Sequence, residues 1–113
     1  MKLTLDFTAD RIIHELLGKR PGHLRLVYDM EDCGCGMSGI PGLELVSEPG
    51  PQDIKVECDS YPIWINRQQA IFFEEKLFLQ GDQSSRTFRL EGVSQLYKAN
   101  MRLADRREEA NQN

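Results

Sequence analysis

The sequence predicts a mainly β, α+β domain: about seven short strands in two small packed sheets, covered by an N-terminal helix. Three observations carry this. Short runs alternate apolar with polar residues, as in Leu3, Leu5 and Phe7 or Leu24, Leu26, Tyr28 and Met30. One extended segment, Thr8 to Leu17, places its apolar residues at helical spacing. Gly and Pro interrupt the chain too often, and the strands are too short, for a parallel doubly wound sheet.

Taken in order, Lys2 to Phe7 reads as a half-buried strand. Thr8 is placed to cap a helix whose Ile12, Ile13, Leu16 and Leu17 share one face, with Asp10 in the first turn. Gly18 supplies a left-handed stop and Pro21-Gly22 turns the chain into a strand from His23. Residues 31–42 form a glycine-rich loop carrying Gly34, Gly36, Gly39 and Gly42. Leu43 to Ser47 is a strand ended by Glu48-Pro49-Gly50-Pro51. Ile54, Val56 and Cys58 then alternate with Lys55, Glu57 and Asp59, which puts Cys58 on an apolar strand face. Tyr61 to Ile65 is a further strand, and Asn66 is suited to cap a short helix across Arg67 to Phe73. Lys76 to Gln80 and Arg86 to Leu90 pair as a hairpin around Gly81-Asp82-Gln83-Ser84-Ser85. Residues 1–100 are therefore expected to form the core domain. Residues 101–113, with charges that balance and almost nothing apolar, are expected to be a flexible tail dispensable for folding.

The chain of 113 residues fits one domain. Its formal charge of −4 disfavours a phosphate backbone, so nucleic acid is not expected as a partner. No apolar run approaches the roughly 20 residues of a membrane helix, and the first residues do not read as a secretory signal. Three cysteines, an odd number, point to a reducing, cytoplasmic setting and not to a disulfide scaffold.

Reactive groups concentrate in Asp29-Met30-Glu31-Asp32-Cys33-Gly34-Cys35-Gly36-Met37. Two thiols one residue apart, separated and followed by glycine, are able to face one soft metal ion. A closed thiolate site takes four ligands, so completion requires a second chain, Cys58, carboxylates or exogenous thiols. The acidic neighbours raise the thiol pKa by like-charge repulsion, which opposes a catalytic thiolate. A bound cation reverses that penalty, and so metal binding is favoured over nucleophilic chemistry. The plain structural alternative is a glycine-rich loop that carries two small residues. His14 reads as a partly exposed helix residue, Glu74-Glu75 as the edge of a core segment, and Trp64 as core or partner contact. The loop glycines do not match a phosphate-binding spacing.

The order of these elements resembles the HesB-like family, the A-type iron–sulfur cluster carrier or assembly proteins, in its short Gram-positive-type branch. The resemblance rests on Leu24-Arg25-Leu26-Val27-Tyr28, the loop Cys33-Gly34-Cys35-Gly36-Met37-Ser38-Gly39, and the strand Leu43-Glu44-Leu45. Glu48-Pro49, Gln52-Asp53-Ile54 and Phe88-Arg89-Leu90 continue it, over residues 2 to 92. It implies a β-sandwich or pseudo-barrel fold and a tendency to dimerise. It also implies iron or cluster binding by one central-loop cysteine, matched here by Cys35 or, with a shifted gap, Cys33. The two further cysteines of a C-terminal Cys-Gly-Cys-Gly are absent, since no cysteine follows Cys58.

The resulting expectation is a non-enzymatic iron–sulfur protein that binds iron or a [2Fe–2S] cluster through Cys33 and Cys35 at a homodimer interface. Its partners would be Fe–S scaffold or client apoproteins. A binding or scaffold module that keeps the fold without metal is the alternative from a different class, and a thiol redox protein using Cys33 and Cys35 is a third.

Overall fold

The computed structural model describes residues 1–29 and 40–107. The chain runs through β1 (Lys2–Leu5), α1 (Phe7–Leu17), β2 (His23–Asp29), β3 (Ile40–Val46), β4 (Asp53–Val56) and β5 (Ile63–Asn66). A 3₁₀ turn (Ala70–Phe72) follows, then β6 (Lys76–Asp82), β7 (Thr87–Gly92), β8 (Leu96–Met101) and β9 (Leu103–Asp105). The strands form two sheets, β1-β6-β7-β8 and β4-β5-β2-β3-β9. The mainly β class, the two sheets and the early helix are as the sequence predicts. Leu96 to Asp105 adds strands that its irregular spacing conceals.

The sheets meet along both margins. On one, Leu3 N–H donates to the Glu57 carbonyl at 2.9 Å and Glu57 N–H donates to the Met1 carbonyl at 3.0 Å. On the other, β8 passes into β9 through Arg102 alone. The result is a flattened barrel with few open edges, which limits unwanted strand pairing. Its interior is filled by Leu3, Leu24, Leu26, Leu43, Leu45, Ile63, Ile65, Leu77, Leu79 and Phe88, all essentially buried. Each comes from the apolar phase of its strand, as the period of two requires.

Helix α1 buries Ala9, Ile12 and Ile13. Its cap is Asp6, two residues earlier than the Thr8 the sequence suggests: the Asp6 carboxylate accepts Ala9 N–H at 2.7 Å. The same oxygen accepts Gly81 N–H at 3.1 Å. Asp6 is favoured because it satisfies a helix donor and a β6 donor at once, which Thr8 is not placed to do. Gly18 ends the helix at φ 64°, as expected.

Two expectations are corrected here. Cys58 does not continue a strand face: β4 ends at Val56, Ile54 on the nominal apolar face is 37% exposed, and Cys58 follows the strand as a partly buried residue packed against the core. Nor is the segment after residue 100 a free tail as far as Arg107. Met101 is 1% exposed, and β9 pairs in parallel with β3, Leu43 to Leu103 and Leu45 to Asp105. Arg107 then fastens the strand. Its guanidinium donates to the carbonyls of Leu17 at 2.8 Å, Arg20 at 2.9 Å and Leu16 at 3.2 Å, and to Asp105 at 2.8 and 3.0 Å. The carbonyls left over at the end of α1 thus find donors in a distant part of the chain. A charged composition hides this because an arginine buries its stem while its head bonds carbonyls. Residues 108–113 lie outside the described residues.

The Arg107 hydrogen bonds hold the Asp105 carboxyl down at about 2. A depressed carboxylate stabilises the fold above its unfolded pKa, and that contribution is lost as pH falls through the folded value. The melting temperature of the parent should therefore exceed that of Asp105→Asn by a constant margin above about pH 4, shrinking as pH falls toward 2. A margin that persists unchanged at pH 2 would show that the Asp105 charge is not what holds Arg107.

Candidate functional site

The cysteine pair lies in the connection between β2 and β3, so the two strands define its setting. They are antiparallel from His23–Val46 to Asp29–Ile40. The connection therefore leaves at Asp29 and returns at Ile40, directly across the ladder. Cys33 and Cys35, the residues singled out from the sequence, lie outside the described residues; what the structure gives is the platform formed by the ends of β2 and β3 and the residues packed against them.

That platform is aromatic. Tyr28 stacks on Phe72, with ring centroids 4.5 Å apart and planes 15° apart, and meets Phe73 edge-on at 5.5 Å. Phe73 in turn contacts Tyr97 at 5.2 Å. Such pairs contribute beyond the area they bury, on the order of 1 kcal/mol each. The β5 strand stops at Asn66, which leaves Tyr28 N–H without a ladder partner; the Gln69 side-chain oxygen accepts it at 2.9 Å. Asn66 does begin the turn, accepting Gln68 N–H at 2.8 Å, although the expected short helix amounts to the 3₁₀ turn Ala70–Phe72.

A second fixed turn adjoins this one. Glu74 accepts Val93 N–H at 2.9 Å and the Ser94 N–H at 3.1 Å and hydroxyl at 2.9 Å, while Glu74 N–H donates to the Tyr97 hydroxyl at 2.9 Å. Burial pushes the Tyr97 phenol up from its ordinary value. Glu74 is thus a turn-holding residue at the edge of the core, in keeping with the sequence reading. On the return side, Pro41 faces the margin of β3 beyond the reach of β9, which pairs only with Leu43 to Leu45. A proline there presents no N–H to a passing strand.

The other candidates stand apart from the loop. His14 is exposed on α1. His23 accepts the Trp64 indole N–H through Nδ1 at 3.1 Å, which accounts for the only tryptophan as a half-buried residue on the outer face of its sheet. On that face Arg25 makes a bidentate pair with Asp53, at 3.0 and 3.1 Å. Cys58 lines a hollow of about 160 Å³ with Lys2, Leu3, Thr4, Leu5, Asp59 and Ser60. It follows β4, and two strands, β5 and β2, separate it from β3 in the sheet order. Among the described residues no group of three or more His, Cys, Asp or Glu side chains is placed to hold a metal ion. The platform residues Tyr28, Gln69 and Phe72 were not legible as a site; the paired aromatics Phe72-Phe73 after a turn residue were the one signal.

Residues 1–105 match the sequence pattern described as iron-sulphur cluster biosynthesis. The chain belongs to this family. The HesB-like resemblance read from the cysteine loop and the element order is thereby borne out. A curated relative, the uncharacterised protein YqkB of Bacillus subtilis (strain 168), is 25% identical over 104 residues, covering 91% of this chain and 97% of its own. Among solved structures, a proposed Fe–S biosynthesis protein from Lactobacillus salivarius with a novel fold superposes with a TM-score of 0.78 at 13% identity. The match covers 96% of this chain and 100% of that one. Escherichia coli SufA, involved in biosynthesis of iron–sulfur clusters, gives 0.67 at 23% identity, covering 88% of this chain and 87% of its own. These two likenesses establish the fold. No helix among the described residues is long and apolar enough to cross a membrane.

Proposed function

We propose that this family member is a non-catalytic carrier or assembly protein that binds iron or a [2Fe–2S] cluster as cargo through Cys33 and Cys35. The cargo would pass to or from scaffold and client apoproteins in the cytoplasm. The observation that carries the reading is the location of the only close cysteine pair. It falls in the connection whose ends, Asp29 and Ile40, are held opposite each other on the β2–β3 ladder, in a chain of the iron–sulphur biosynthesis family. Cys58, the described cysteine, belongs to another part of the sheet, so a single chain offers two thiolates from this loop. Two copies offer four, which closes one [2Fe–2S] site, and the homodimer is part of the proposal.

The test is anaerobic reconstitution with iron and sulfide, followed by absorbance, iron assay and sedimentation. The parent is expected to show thiolate-to-iron charge-transfer bands, one cluster per two chains, and loading that rises with pH as thiol protons are displaced. Cys33→Ser/Cys35→Ser should lose the bands and the bound iron while melting as the parent does. A double variant that retains the parent's iron would remove Cys33 and Cys35 from the ligand set. A parent that stays colourless would leave the fold serving as a scaffold without metal.

A further inference from the structure

We propose that the His23–Trp64 contact is a proton-operated catch: neutral His23 holds the indole on the outer face of the β4-β5-β2-β3-β9 sheet, and protonation of His23 releases it. Trp64 Nε1–H donates to His23 Nδ1 at 3.1 Å. The rings meet edge-on, with centroids 6.1 Å apart and planes at 69°. Trp64 is the register partner of Arg25, and His23 stands two residues before Arg25, so alternation puts all three on one face. Both rings are half-buried.

The bond exists in one protonation state only. A neutral imidazole has one donor and one acceptor, so acceptance at Nδ1 leaves the proton on Nε2. The imidazolium carries N–H on both nitrogens. Protonation therefore sets two donors against each other and leaves the indole N–H without its acceptor. No cation–π attraction takes its place, because the indole turns its N–H edge to His23, the positive end of the ring quadrupole, and not its face. Histidine ordinarily changes charge between about pH 5 and 8, so the catch opens in mild acid.

The neighbours do not hold the charged form shut. On β2 the face continues with Arg25; on β3, Val46 lies opposite His23 and Glu44 opposite Arg25. On β4 it carries Lys55, opposite Trp64, and Asp53. Past β9 comes Arg106, and Arg107 runs beside Gly22. The carboxylates among these are committed: Asp53 accepts Arg25 at 3.0 and 3.1 Å, Glu44 accepts Arg106 at 3.1 Å, and Asp105 is paired with Arg107 at 2.8 Å. Glu48 and Glu57 are exposed and lie beyond the ends of β3 and β4, and Lys19 and Arg20 precede the strand. A proton on His23 thus adds a cation beside Arg25, Arg106 and Arg107.

The test is direct, because Trp64 is the only tryptophan and His23 one of two histidines. The full, metal-free chain is titrated while tryptophan emission and its quenching by acrylamide are followed. As His23 protonates, emission should shift to the red and acrylamide access should rise. His23→Gln should abolish the transition and His14→Gln should leave it intact, His14 being exposed on α1. Nitrogen-15 NMR of the parent at neutral pH should place the His23 proton on Nε2, a readout that needs no variant. A proton on Nδ1, or a transition that survives His23→Gln or vanishes in His14→Gln, would overturn the proposal. So would emission that dims on protonation without added acrylamide access, since the pair would then stay closed when charged.

Discussion

A chain ending at Asn100 is expected to be largely unfolded at room temperature. The deletion removes Met101, which is 1% exposed, the whole of β9, and the Arg107 guanidinium that donates to three carbonyls around the end of α1. Loss of a buried methionine alone costs roughly 2–5 kcal/mol. Orphaned carbonyls and the freed β3 margin add to this, against a total stability on the order of 5–15 kcal/mol. The milder Arg107→Ala keeps β9 but leaves Asp105 and the helix end without their donor. A loss of about 1–3 kcal/mol is expected, or a melting temperature lower by roughly 4–20 °C for a domain of this size. Thermal melts followed by far-ultraviolet circular dichroism measure both. A chain ending at Asn100 that melts with the parent would mean that β9 and Arg107 rest on the domain without supporting it. A chain ending at Arg107 should match the full length if residues 108–113 make no docking contact.

The contrast between this segment and the rest shows what the sequence made legible. Where a strand is long and largely alternating, as in His23 to Asp29, its phase could be read directly, and the residues so marked, Leu24 and Leu26, are inside. The β6–β7 hairpin was equally plain, because Gly81 to Ser85 interrupts two runs of the right length. Leu96 to Asp105 was not legible. Its pairing with β7 contains register shifts between Phe88 and Leu90 and between Leu90 and Glu91, and a bulge breaks the alternation on which the reading depends. The three residues of β9 are too few to carry any period. Arg107 contributes by geometry that composition does not encode.

The site divides in the same way. Two cysteines flanked by glycine are visible in any reading of the chain, and family membership gives them a context. The exposure of Ile40, Ile71 and Val93 was invisible, because they belong to three separate segments and none shows a pattern on its own. Cys58 was misplaced for a related reason. Two alternations after Ile54 look like a continuing strand, but the chain at Glu57 has already left β5 to pair with Met1 and Leu3. Local spacing cannot report the change of partner.

The same dependence on distant contacts makes Gly81→Ala a severe substitution despite its small size. Gly81 lies in β6 opposite Phe88, and α1 begins directly above it. A Cβ on Gly81 would lie 2.6 Å from the Ala9 nitrogen and 2.8 Å from the Ala9 Cα and the Thr8 carbonyl carbon. All three are backbone atoms, which no rotamer change moves aside. The helix must lift, and the shared Asp6 oxygen then loses its bond to Gly81 N–H, to Ala9 N–H, or to both. Overpacking of this kind costs about 1–3 kcal/mol and loss of the cap about 1 kcal/mol more. Gly18→Ala separates this effect from glycine chemistry in general. Gly18 is the residue with positive φ in the helix cap, yet nothing lies within 4 Å of its hypothetical Cβ, so only backbone strain of roughly 1–2 kcal/mol applies. The expected order of melting temperatures is parent, Gly18→Ala, then Gly81→Ala lowest. If Gly81→Ala melts at or above Gly18→Ala, α1 does not sit on β6 as closely as Ala9 and Gly81 require.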